Sequence, residues 1–200
     1  MKTLPPSLPP AARQEVLDFL LTRRSRPLKL LQGPAPDAET LTLLLSAAAR
    51  CPDHGKLEPW RFIVLEKGAL NRLAGAARAR AQALELDAEL TAKAASQFET
   101  SPFCVAVVAI ARNAPKIPAV EQVLSAGAVC LGLLNAALAA GFGANWLSGR
   151  MSHDRVFVEG ELGLSAQESI AGFIHIGRCE TAPPERPRPD ITALTQWVRE

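Results

Sequence analysis

A chain of 200 residues that is 48% hydrophobic has enough apolar material for one substantial core, so a single domain over residues 1–200 is expected. Its 22 basic and 20 acidic residues leave a net charge of +2, which argues against the broad positive field of a general nucleic-acid binder. Any anion binding must come from local clusters.

The opening MKTLPPSLPP lacks the apolar centre of a signal peptide. No apolar stretch is expected to approach the ~20 residues that span a bilayer, so a cytoplasmic protein without membrane contact fits. Cys51, Cys104, Cys130 and Cys179 are widely spaced, form no Cys-x-x-Cys pair, and read as reduced, mostly buried thiols.

Residues 11–24 place Val16, Leu17, Leu20 and Leu21 on one helical stripe ending in arginines, which suit a helix C-terminus. A second helix is expected from Asp37, an N-cap, to near Arg50, with Pro52 as the stop. Residues 61–66, RFIVLE, read as a buried strand, and residues 103–110, FCVAVVAI, repeat the pattern more strongly. Between them, residues 69–98 are rich in Ala, Arg and Glu and read as one charged covering helix or a pair.

Residues 119–140 are apolar almost all round, with small residues that let another helix approach, and predict the central buried helix. GANWLSG then gives a short extended stretch and a turn before a helix starting near Ser152, and SIAGFIHIG is the last core strand. The Pro-rich APPERPRPD cannot form a regular helix, and ITALTQWVRE predicts a short closing helix on an arm laid over this subunit or another. With no glycine-rich strand-turn-helix fingerprint, an α+β architecture is expected rather than a dinucleotide-binding doubly wound sheet.

Two clusters could carry chemistry. Arg23, Arg24 and Ser25 combine planar guanidinium forks with a hydroxyl, a phosphate clamp in principle, although basic residues at a helix end ordinarily just compensate the helix dipole. RCPDHGKLEPWRF, residues 50–62, sets Arg50, His54 and Trp60 in a loop before a core strand, which is either a ligand-contacting loop or a capped loop with a packed tryptophan. The three histidines lack metal-ligand spacing, so no metal site is expected, and His175 reads as a satisfied core or edge residue. Neither a G-x-S-x-G elbow nor a phosphate-binding P-loop is present. Few side chains are left for acid-base work, which suits a protein whose cofactor supplies the reactive atoms.

Taken together, Arg23-Arg24-Ser25, the 50–62 loop, SAGAVCLGLLNAALAAGFGANWLSG at 125–149 and GFIHIG before a Pro-rich arm resemble the FMN-dependent nitroreductase family, in particular its small single-domain bacterial branch. The resemblance implies a mixed central sheet flanked by helices and a homodimer, with the C-terminal arm exchanged and FMN at the interface. It implies that Arg23, Arg24 and Ser25 bind FMN, with Arg50 and His54 contributing from the loop, His54 from the partner subunit. Leu147, Ser148 and Gly149 match the family's later flavin-contacting triplet, Leu147 through backbone because the usual polar first member is missing. Ala137, Leu138, Ala139, Ala140, Gly141 and Phe142 match where relatives place the nicotinamide nucleotide.

Arg186 or Arg188 is a candidate for a further phosphate contact, and Arg26 or Lys29 for the flavin ring edge. The implied activity is ping-pong transfer of hydride from NADH or NADPH through FMN to a small-molecule acceptor, a nitroaromatic, quinone or similar compound. A flavin-binding or storage protein with little reductase activity is the alternative. A cofactor-free basic-patch protein is disfavoured by the small net charge.

Overall fold

The computed structural model describes residues 5–7 and 9–200, so the reading of the first ten residues as leaderless falls partly on residues 1–4 and 8, outside the described residues. The chain runs α1 (Gln14–Thr22), α2 (Ala38–Ala48), β1 (Trp60–Leu65), α3 (Lys67–Ala83), α4 (Ala88–Thr100), β2 (Cys104–Ile110), α5 (Ala119–Ala139), β3 (Gly143–Leu147), α6 (Arg150–His153), α7 (Arg155–Leu162) and β4 (Glu168–Gly177), with 3-10 turns at Leu28–Leu30 and His54–Lys56. The α+β class is as expected.

The sheet order is β1-β2-β4-β3, and all three pairings are antiparallel, which corrects the expected mixed strand directions. Connectivity explains this. The α3 and α4 helices are joined by a four-residue link, so they return the chain to the end of the sheet where β1 left it, and β2 must run the opposite way.

Each face of the sheet has its own core. On one, Phe98 of α4 meets Phe173 edge-on at 5.3 Å and Phe157 of α7 at 5.8 Å, over Leu70 and Leu73 of α3. On the other, Val129, Leu133 and Ala137 of α5 pack on Val105, Val107, Ile174 and Ile176. Each such large side chain, fully buried, contributes about 1.5–3 kcal/mol. The small residues of α5 act as expected at Gly132, where a Cβ would stand 3.1 Å from Ala48 Cα of α2. An edge pair closes the sheet: Arg61 of β1 donates to both carboxylate oxygens of Glu168 at 2.6 and 3.1 Å, which drives the Glu168 carboxyl down to about 2.

Four expectations are corrected. β1 is a half-buried edge strand with an exposed Val64, because β2 pairs it on one side only. The apolar stripe of α1 joins neither core cluster of the described residues, with Val16, Leu17, Leu20 and Leu21 all exposed. Residues 191–200 form a single turn rather than a helix, since an unpacked segment of that length cannot offset the cost of helix nucleation. At 21 residues and mean hydropathy 1.7, α5 is long and apolar enough to span a bilayer, contrary to the expected absence of such a stretch; here it forms the core helix over one sheet face.

Candidate functional site

The chain leaving α1 is tied to the outer edge of the sheet. Arg26 N–H donates to the Ala144 carbonyl of β3 at 2.8 Å, and Gln32 exchanges backbone hydrogen bonds with Arg178 at 2.9 and 2.7 Å. This approach requires glycine at 143, where a Cβ would lie 2.6 Å from Cys179 Cβ and 2.7 Å from Leu31 Cδ2. Arg23, Arg24 and Ser25 are thereby fixed beside the start of β3, all three half-buried.

Their side chains differ in what they already hold. Arg23 donates from Nη2 to Ser25 Oγ at 3.3 Å, while its Nε is buried and has no partner among the described residues. A buried guanidinium N–H without an acceptor costs about 1–3 kcal/mol, a cost that a ligand oxygen or an ordered water would relieve. Arg24 is engaged by the C-terminal arm: it donates to the Pro184 carbonyl at 3.0 Å and lies 3.9 Å from the Glu185 carboxylate. Glu185 also lies 3.8 Å from Arg188, whereas Arg186 contacts the described residues through its backbone, N–H to the Glu185 carboxylate at 3.2 Å. Lys29 sits exposed in the first 3-10 turn.

Leu147, Ser148 and Gly149 stand at the other end of β3, about 13 Å along the strand from Ala144 by strand rise. They form one wall of a cleft of about 460 Å³ with Arg150 and Met151, opposite Leu90, Lys93, Ala94, Ser96 and Gln97 of α4. Gly149 N–H donates to Ser152 Oγ at 3.0 Å, which turns the chain from β3 into α6. Gln97 is nine-tenths buried and its Oε1 has no partner.

Arg50 and His54 lie elsewhere in the protomer. Arg50 is exposed and donates to Ser7 Oγ at 3.3 Å, and His54 Nδ1 is 2.6 Å from Glu121 Oε2 at the start of α5. Roughly 27 Å of α5 separates Glu121 from Ala139, five residues before the Ala144 carbonyl that Arg26 binds, so the two clusters stand apart in one protomer. Trp60 is packed: its Nε1–H donates to Ser125 Oγ at 3.2 Å, and that hydroxyl donates to the Pro52 carbonyl at 2.8 Å. The 137–142 segment is the end of α5 and its turn. Ala137 and Phe142 belong to the core, and the Arg178 guanidinium stacks on the Phe142 ring at 4.3 Å.

Sequence reasoning missed several polar groups here. His175 is fully buried, with Nδ1 2.9 Å from Ser101 Oγ, but its Nε2 has no partner, so it is only half satisfied; burial lowers its pKa to about 4. Ser101 Oγ also donates to the Phe103 carbonyl at 2.9 Å. The His175–Ser101 link joins residues 74 positions apart, and only strand alternation in GFIHIG, which puts His175 beside Phe173 on the α4 face, could have hinted at it. The indole of Trp146 covers Gly172 so closely that no Cβ fits there, and no local pattern announces that contact.

The arrangement has counterparts. A Haemophilus influenzae protein named "Putative NAD(P)H nitroreductase" is 38% identical over 164 residues, covering 82% of this chain and 88% of that one. An Escherichia coli K12 protein, "Putative NAD(P)H nitroreductase YdjA", is 34% identical over 163 residues, covering 82% and 87%. Among solved structures, the nitroreductase-like family protein from Bacillus cereus superposes with TM-score 0.78 at 22% identity over 97% of this chain and 100% of that one. A "putative nitroreductase in complex with fmn" from Desulfovibrio desulfuricans gives 0.71 at 21% identity over 94% and 100%. At such identities the superpositions establish the fold alone. The model of the Nitroreductase family matches residues 20–178, from the end of α1 through every strand to the residue after β4, and the chain belongs to that family.

Proposed function

We propose that the protein is a cytoplasmic, homodimeric, FMN-dependent NAD(P)H oxidoreductase of nitroreductase type. The observation that carries this reading is the buried, unpartnered Arg23 Nε at the edge of β3, in a chain of this family. An anionic acceptor there would satisfy a donor that the protein leaves unsatisfied, and the FMN phosphate has the charge and oxygen count for it. FMN, when bound, supplies the redox chemistry, taking hydride from NADH or NADPH and reducing a nitroaromatic, quinone or similar acceptor after the oxidised nucleotide has left.

The chain's own residues would hold and shield it. Arg23 and Ser25 bind the phosphate, and Arg24 joins them when the arm releases its guanidinium. Leu147, through its backbone, with Ser148 and Gly149 would meet the ring at the far end of β3. Arg50 and His54 reach the site only from the partner subunit. Exposed apolar side chains give the two copies a surface to share: Val16, Leu17, Leu20 and Leu21 on α1 and Val120, Val123, Leu124 and Leu131 on α5.

The visible spectrum of the purified protein, followed by anaerobic addition of NADH or NADPH, tests the reading. Flavin bands that bleach with either nucleotide are expected. A colourless preparation that also fails to bind added FMN would refute it, and retained flavin that neither nucleotide bleaches would favour a carrier.

A further inference from the structure

Around α4 and its neighbours nearly every cation is matched. Arg72 pairs with Glu161, Arg78 with Glu99 and Arg80 with Asp154, and Lys67 donates to the Glu99 and Ser101 carbonyls at 2.6 and 3.1 Å. The exceptions are Lys93 and Arg150, the two charged side chains that line the cleft beside Leu147, Ser148 and Gly149. Among the described residues neither forms an ion pair or a side-chain hydrogen bond, and no ion pair joins Lys93 to Glu89 one helical turn earlier. Asp154, the carboxylate that feels the Arg150 charge, is committed to Arg80 at 2.9 and 3.0 Å and to capping Phe157 N–H at 2.8 Å.

The cleft thus has two cations without a hydrogen-bonded or ion-pair partner and no carboxylate on its walls, and Gln97 beside them is a buried amide whose oxygen lacks a donor among the described residues. About 460 Å³ is within the usual range for a small-molecule site. We infer that this cleft is the acceptor subsite and that Lys93 and Arg150 select an acceptor bearing an anionic group, such as a carboxylate or sulfonate on an aromatic or quinonoid ring. The inference rests on the flavin reading above, because the triplet wall is the one assigned to the ring.

The anionic group has a second source, the phosphates of the nicotinamide nucleotide, and the experiment separates the two. Flavin-loaded protein is titrated calorimetrically with 4-nitrobenzoate and with uncharged 4-nitrobenzamide, and steady-state KM values are measured for both probes, NADH and NADPH. At low ionic strength the protein is expected to bind the benzoate about five- to tenfold more tightly, a preference that fades as salt screens the charges. Lys93→Glu and Arg150→Gln should each reduce that ratio, and the double variant should bring it to one or below. Arg72→Gln, which removes a matched cation nearby, should leave it unchanged.

Equal affinity of the native protein for the two probes overturns the inference. So does a rise in KM for either nucleotide with an unchanged probe ratio, which would assign the cations to the nucleotide's phosphates. Uncharged menadione reports on the flavin reading separately. Failure to reduce menadione counts against that reading, and the calorimetric ratio still decides charge selection; menadione turnover without probe preference counts against this inference alone.

Discussion

Around β3, Arg23 Nε and His175 Nε2 are buried and lack partners, whereas in the loop before β1 His54 is exposed, with its ring nitrogen 2.6 Å from the Glu121 carboxylate. Both regions offered similar residue types in the sequence. They differ in what folding does with them. An exposed pair such as His54–Glu121 exchanges water for a partner at almost no net gain, while a buried donor left open carries a cost that only a ligand or an ordered water relieves. Polar groups of the second kind are the better guide to where this molecule binds something.

The sharpest way to break that contrast is Arg23→Ala. Truncating one side of a desolvated, charge-assisted contact costs about 2–5 kcal/mol, roughly a thirtyfold or greater loss of FMN affinity. Because the same substitution also removes an unsatisfied buried donor, the FMN-free protein should keep or gain thermal stability. Fluorescence titration and melting with and without FMN read both signs. A variant that binds FMN normally, or that melts well below the native apoprotein, would make Arg23 a structural residue.

His175 tests whether burial without a partner also shows in stability. Its folded pKa of about 4 lies below the ordinary 6.5, so the unfolded chain takes up a proton between those values that the native state refuses. Stability contributed by neutral His175 is therefore full above pH 6.5 and lost as pH falls through 4, by about 3 kcal/mol over the window. Denaturant midpoints measured from pH 7 to 4 should show this slope, and His175→Gln should flatten it. Glu168, held near 2 by Arg61, adds its own loss only below about pH 4.5, so the interval from 6.5 to 4.5 isolates the histidine.

Local signals were legible where one segment's own pattern decides its structure. The Asp37 cap accepts Thr40 N–H at 2.8 Å as expected, β2 is buried as FCVAVVAI implies, and residues 69–98 resolve into the pair α3 and α4. Legibility ended where the deciding partner is distant or absent. ITALTQWVRE has helical periodicity, but Ile191, Leu194, Trp197 and Val198 stay exposed among the described residues, and the α1 stripe likewise faces outward. The cleft was unreadable because Lys93 and Arg150 look like any surface cations until the pairing of Arg72, Arg78 and Arg80 sets them apart. Arg23, Arg24 and Ser25 were found as a cluster, yet only the fold distinguishes Arg23, with its open Nε, from Arg24, held by the arm.

The smallest effect belongs to the exposed pair, and it sharpens the comparison from the other side. His54 and Glu121 have side chains 61% and 42% exposed, so His54→Ala should change folding stability by less than about 1 kcal/mol at pH 7. If His54 also contacts flavin from the partner subunit, FMN affinity should fall, but by less than the Arg23→Ala loss, since a solvent-accessible contact has less desolvation behind it. Mixing the two variants separates the roles. In a heterodimer of Arg23→Ala and His54→Ala chains, one site carries both lesions and the other neither, so half the flavin should bind with native affinity. Two weakened sites, neither of native affinity, would place both residues in the same protomer's site and remove the case for an intersubunit histidine.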